Sequence, residues 1–142
     1  MKKLILKEEL RMSNEGNEKM GEKAIEEMRK RFSGYVVPEF DRVAQSDPDF
    51  MAWMTDLSKF CLSDGKALPA KYRIMIHIIL LSHAGHVRAL PHHIKNAIEK
   101  HGATKLELIE AFETALPAGG VSTLVRAMAG LIGYEEKKGY GI

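Results

Sequence analysis

The 142-residue sequence contains only one cysteine, Cys61, so it cannot form an internal disulfide, and it gives no sign of an oxidising compartment. The net charge is only +2, whereas nucleic-acid binding requires positive charge clustered on one face. No apolar run approaches the roughly 20 residues of a membrane span, and the run from Leu4 to Leu6 is too short for a signal peptide. The sequence therefore predicts a cytoplasmic protein without a nucleic-acid or membrane partner.

Several motifs that mark cofactor sites and well-known enzyme classes are also missing from the sequence. It has no glycine-rich phosphate loop, no Cys-x-x-Cys pair, no His-Glu-x-x-His zinc motif and no Gly-x-Ser-x-Gly turn. The pair Gly119 and Gly120 is more typical of a turn where helices approach closely than of a phosphate site. We therefore expect no cofactor and no bound metal.

Apolar residues recur at helical spacing along most of the chain, and no hairpin pattern interrupts them. Prolines stand where helices begin and glycines where they end. The pattern predicts an all-α fold, a single-domain helical bundle of about six to seven helices. We expect an N-terminal arm over 1–16, the helical domain over 17–136 and a polar tail over 137–142.

Local signals refine three of these helices. Asp47 is a predicted N-cap, and Thr104 with Glu107 has the spacing of a capping box. The segment from Ile74 to Leu81 is apolar except for His77, which predicts a helix buried on most sides, partly by another subunit. The helix after Asp47 has an apolar stripe that we expect to face the core, formed by Phe50, Trp53, Met54, Leu57, Phe60 and Cys61.

All six histidines of the chain lie between residues 77 and 101. Imidazole titrates near neutral pH, so one interpretation of this segment is a proton-transfer site. A second interpretation is a metal site, in which a helical hairpin brings His83, His86 and His92 together.

A third interpretation of the histidines is structural. His77 in an apolar helix is typical of a hydrogen-bonded core residue, and His101 near a helix C-terminus interacts favourably with the helix dipole. His92 and His93 are neighbours that point about 100° apart on a helix, so we do not expect both to face the core.

The segment from Leu68 to Leu131 resembles the carboxymuconolactone decarboxylase family, which includes the alkylhydroperoxidase D-like proteins. The residues that carry the resemblance are LPAKYRIMIHIILL, HHIKNAIEKHGATKLELIEAF and PAGGVSTLVRA, preceded by DPDFMAWMTDL. The resemblance implies an all-α fold in which subunits interlock their helices. It also implies a homo-oligomer, either dimer-based, trimeric or hexameric.

The resemblance implies two chemistries, and the residues favour one of them. The family histidine falls on His93, whereas the two thiol positions of the peroxidase pattern fall on His86 and Ala89 and the relay glutamate falls on or near Ile74. Cys61 lies outside this region. Dithiol peroxide reduction is therefore not expected.

The decarboxylase chemistry needs neither thiol nor cofactor, so it stays open. In this hypothesis, protonated His93 is the general acid/base of a lyase that acts on a small carboxylated or lactone substrate. Proximity in sequence makes His86, Arg73, Arg88 and Lys95 candidates for binding the substrate. Two further hypotheses are a non-catalytic small-ligand-binding or scaffold protein and the metal-binding module.

Overall fold

A computed structural model describes residues 2–31 and 36–136, and within them it contains helices and no strand. The α-helices are α1 (Lys2–Arg31), α2 (Glu39–Ser46), α3 (Pro48–Leu62), α4 (Ala70–Ala84), α5 (Leu90–Glu99) and α6 (Lys105–Glu135), with a 3₁₀ turn at Val87–Ala89. The predicted all-α class is confirmed, and the predicted tail over 137–142 lies outside the described residues.

The chain forms two compact units, residues 1–60 and 61–142. In the first unit α1 packs on α2, and a Cβ added at Gly21 would lie only 2.5 Å from the carbonyl oxygen of Ala44. α1 is continuous through Gly16, where the sequence predicts the end of a separate arm. The flanking lysines and glutamates are strong helix formers, and one glycine costs a helix only about 1 kcal/mol.

The N-cap of α3 is confirmed, but its predicted core stripe is wrong. Asp47 Oδ1 accepts a hydrogen bond from the backbone N–H of Phe50 at 3.0 Å. The helix instead directs Met51 and Thr55 inward, and Thr55 Oγ1 lies 3.4 Å from the Ala24 carbonyl oxygen on α1. Cys61 is exposed. α3 is apolar on two sides, and its sequence does not show which side packs; the exposed members of the predicted stripe include Phe50, Trp53, Leu57 and Phe60.

The second unit is built from α4, α5 and α6, each of which packs on the other two. α6 approaches α5 closely at Gly130, where an added Cβ would lie 2.6 Å from Leu90 Cβ and 3.1 Å from Ile94 Cδ1. Glycine is therefore required at this crossing. The largest fully buried side chains described in the unit are Ile74, Ile78, Ser82, Leu90, Ile94, Leu108 and Phe112.

α4 is buried on one face only. Ile74 and Ile78 are buried, whereas Ile76 and Leu80 are 48% and 60% exposed. The single chain therefore covers one face of this segment, and its burial on most sides, partly by another subunit, stays a prediction.

α6 begins with the predicted capping box, in which Thr104 and Glu107 exchange side-chain and backbone hydrogen bonds. The predicted break falls at Gly120, whose φ of 75° is non-helical, while Pro117 stays within the helix. Among the described residues α6 alone is long and apolar enough to cross a membrane. The break at Gly120 leaves about 22 Å of helix on either side, less than the roughly 30 Å of a bilayer core.

Candidate functional site

The rings of His77 and His93 meet where α4 packs on α5. Their centroids are 4.7 Å apart and their planes are inclined by 72°, an edge-to-face contact. His93 comes from the first half of α5, which begins with Pro91 in its first turn. The structure thus pairs the residue matched to the family histidine with His77, which the sequence indicates as a structural residue.

His92 and His93 are both turned into the protein, so the expectation that only one of them faces inward is wrong. His92 is 3% exposed and its Nε2 is buried, while His93 keeps some exposure and its Nδ1 is buried. Their directions do differ by about 100°. α5 accommodates both because more than half of its residues are buried: Leu90, Pro91, His92, Ile94, Asn96 and Ala97.

Burial sets the charge state of these rings. The pKa of His93 is lowered from 6.5 to about 3, first because burial disfavours the charged ring and then because His77 and His92 repel it. Burial also lowers the pKa of His77. His93 is therefore neutral at pH 7 in the ligand-free chain, whereas the sequence-based hypothesis assumes a protonated ring.

The other predicted substrate-binding residues lie outside the His77–His93 pair. His86 and Arg88 are exposed on the connection between α4 and α5. The guanidinium of Arg73 donates from Nη1 to the Ser63 carbonyl oxygen at 2.7 Å and so fixes the loop before α4.

Lys95 is partly buried and stands two residues after His93 on α5. Residues two apart on a helix point about 200° away from each other. Its side chain therefore leaves the helix on the side opposite His93.

The metal interpretation requires three histidines to converge. Over residues 2–31 and 36–136 no group of three histidine, cysteine, aspartate or glutamate side chains is arranged to hold a metal ion. His86 is exposed and His92 is buried. His83 bonds instead to α6, where its Nδ1 lies 3.2 Å from Thr123 Oγ1.

Thr123 determines the tautomer of His83. The Thr123 hydroxyl donates to the Gly119 carbonyl oxygen at 2.7 Å, so its oxygen accepts from His83. His83 therefore carries its proton on Nδ1. The sequence reveals no such link, because Thr123 and His83 are 40 residues apart.

Asn96 is a second residue that sequence reasoning missed. It is 3% exposed on α5, and its Oδ1 is buried with no hydrogen-bond partner among the described residues. Its spacing of three residues after His93 and four after His92 is the signal that places it on their side of the helix.

Comparison with known families identifies the fold that carries this pair. The profile of the Carboxymuconolactone decarboxylase family matches residues 48–131, more than half of the chain. The chain belongs to the carboxymuconolactone decarboxylase family. Neither the curated proteins nor the solved structures give a significant match.

The matched region of this family member contains all of α4 and α5 and therefore the His77–His93 pair. The peroxidase branch of the family is not expected here. Ile74 is buried and apolar where the relay glutamate would stand, and the chain's only cysteine, Cys61, is exposed outside the paired helices.

Proposed function

We propose that this family member is a cofactor-free lyase that removes carbon dioxide from a small carboxylated or lactone substrate, with His93 as general acid/base. The observation that supports this is the His77–His93 contact inside the family-matched region. A buried imidazole with two histidine neighbours has a strongly shifted pKa, and such groups are concentrated at functional sites.

The proposed reaction consumes one proton for each carbon dioxide released. The bond between the carboxylate carbon and the lactone carbon breaks, and its electron pair stays on the lactone as an enolate. The enolate carbon then takes a proton from the ring of His93, which becomes neutral again.

Binding of the anionic substrate favours the protonated form of His93. A carboxylate beside the ring stabilises the imidazolium, so we expect the pKa of His93 to rise from about 3 when the anionic substrate binds. The carboxylate group leaves as neutral carbon dioxide, and its negative charge passes to the enolate. His86, Arg73 and Arg88 stay proposed contacts for the substrate carboxylate.

The experiment measures carbon dioxide release from carboxymuconolactone by purified protein. We expect His93→Gln to lower kcat/KM about 100-fold or more, because general acid/base catalysis contributes about 10²–10⁴-fold. His101→Gln is the matched histidine control and should stay within about twofold, with the Tm of each variant confirming that it folds. No release above the buffer blank, or full activity of His93→Gln, would contradict the proposal.

A second candidate function is a non-catalytic small-ligand-binding or scaffold member of the family. The neutral resting state of His93 and the apolar Ile74 at the relay position favour it. Saturable binding of carboxymuconolactone without carbon dioxide release distinguishes it from the lyase.

We also propose that this protein is cytoplasmic and acts as a homo-oligomer. Two exposed apolar stripes run along α4 and α6, formed by Tyr72, Ile76, Leu80, Val121, Val125 and Ile132. Contiguous exposed apolar surface marks interaction sites, and a second copy of the chain is the occupant that interlocked subunits imply. Leu80→Glu should therefore give a smaller species by light scattering than wild type, whereas Leu4→Glu on α1 should not; a wild-type monomer would contradict the proposal.

A further inference from the structure

Asn96 is a buried polar residue whose hydrogen bonding is incomplete. It lies in the middle of α5 and is 3% exposed. Its Oδ1 is buried and accepts no hydrogen bond from the described residues. A buried acceptor without a donor costs free energy that a fold retains only for a reason, such as an ordered water or a ligand.

Two buried hydroxyl groups among the described residues do have hydrogen-bond partners. Ser82, fully buried on α4, donates to the Ile78 carbonyl oxygen at 2.8 Å. Thr55, 1% exposed on α3, donates to the Met51 carbonyl oxygen at 2.9 Å. The unmet hydrogen bond at Asn96 is therefore not shared by the buried hydroxyls of Ser82 and Thr55.

Asn96 also stands beside the proposed acid/base. It follows His93 by three residues and His92 by four, spacings at which side chains are neighbours on a helix surface. Ile94, which packs against Gly130 of α6, points about 200° away from Asn96 around α5. The carboxamide thus shares the side of α5 that carries the histidines and not the side that meets Gly130.

We propose that Asn96 is a substrate-binding residue of this site, and that its Oδ1 accepts a hydrogen bond from a hydroxyl group of a small hydroxylated carboxylate. The carboxylate part of this inference rests on the proposed function. The hydroxyl part rests on the acceptor alone, because a carboxylate is ionised at neutral pH and has no proton to donate.

The probes are malate and succinate, two dicarboxylates that differ by one hydroxyl. Binding of each is measured by calorimetry at pH 7 to wild type, Asn96→Leu and the control His101→Gln. A site that hydrogen-bonds a hydroxyl rejects the analogue without it, so we expect malate to bind wild type and His101→Gln at least about 10-fold more tightly than succinate. Asn96→Leu should bring the ratio to about one by weakening malate only.

A second measurement separates this role from a structural one. Asn96→Leu removes an acceptor that the described fold leaves unmet, so its Tm should equal or exceed that of wild type. Ser82→Ala removes a satisfied hydroxyl, so its Tm should fall.

Three results would overturn the inference. The first is equal or absent binding of the two acids to wild type, which is the outcome if a water alone occupies the site. The second is a malate preference that survives in Asn96→Leu. The third is a marked loss of Tm in Asn96→Leu. Failure of the lyase proposal is seen separately, as absent carbon dioxide release.

Discussion

Two groups of histidines, only a few residues apart in the sequence, stand in opposite surroundings. His77 and His93 meet where α4 packs on α5 and His92 is buried, whereas His83 and His86 are exposed where α4 ends. Burial lowers the pKa of His93 to about 3 and also lowers that of His77. His93 is held neutral until a negative charge arrives, and this property makes it suitable for linking proton transfer to substrate binding.

The largest predicted effect disturbs the packing of α5, the helix that carries His92 and His93 of the buried group. Gly130→Leu places a side chain where even a Cβ would lie 2.6 Å from Leu90 Cβ, so α6 must move away from α5. We expect a loss of about 3 kcal/mol in the free energy of unfolding, measured by urea denaturation, because overpacking typically costs about 1–3 kcal/mol.

Gly16→Leu is the control for this change. No atom lies within 4 Å of a Cβ added at Gly16, and leucine is a better helix former than glycine. We expect this variant to be as stable as wild type or slightly more so. Equal stability of the two leucine variants would show that α5 and α6 are not pressed together at Gly130.

The next prediction concerns the pH dependence of stability that the buried group produces. The pKa of His93 is about 3 in the folded chain and about 6.5 in the unfolded chain, so between these values the unfolded state binds more protons. Stability is therefore complete above pH 6.5 and falls as the pH drops toward 3, by up to about 1.4 kcal/mol per pH unit.

Variants assign this pH dependence to one ring. Between pH 6.5 and 4.5, His93→Gln should lose up to about 2 kcal/mol less stability than wild type, because glutamine does not titrate. If His93→Gln and wild type have parallel profiles in urea denaturation, burial does not control the charge of His93.

The smallest predicted effect concerns the exposed group. Thr123→Val removes the acceptor for His83 Nδ1 while keeping the shape of the side chain. We expect a loss of about 1 kcal/mol, typical of one hydrogen bond, and a change in the tautomer of His83 in ring ¹⁵N spectra. The ring spectrum of His93 should not change; a shift there would mean that the two groups are coupled.

Much of the fold follows from local signals in the sequence. Asp47 and the Thr104–Glu107 capping box act over a single helical turn, so their predicted roles are confirmed by the observed hydrogen bonds. The break in α6 falls within the Gly119–Gly120 pair, for which the sequence predicts a turn, because Gly120 is free to adopt a positive φ.

The features that the sequence leaves undecided depend on which side of a helix packs. Cys61 and Trp53 belong to a regular apolar stripe yet are exposed, because Met51 and Thr55 on another side of α3 face inward. Likewise, the family pattern points to His93, but its partner His77 and its neutral charge result from the packing of α4 on α5.

That burial keeps His93 neutral is tested most directly by an NMR titration of the ring nitrogens of the histidines in the folded, ligand-free protein. We predict that the ring of His93 stays neutral from pH 8 down to about pH 3, or to the pH at which the chain unfolds. Protonation of His93 close to its ordinary pKa of 6.5 in the folded chain would show that burial does not control its charge, because the ring would then be solvated like that of a surface histidine.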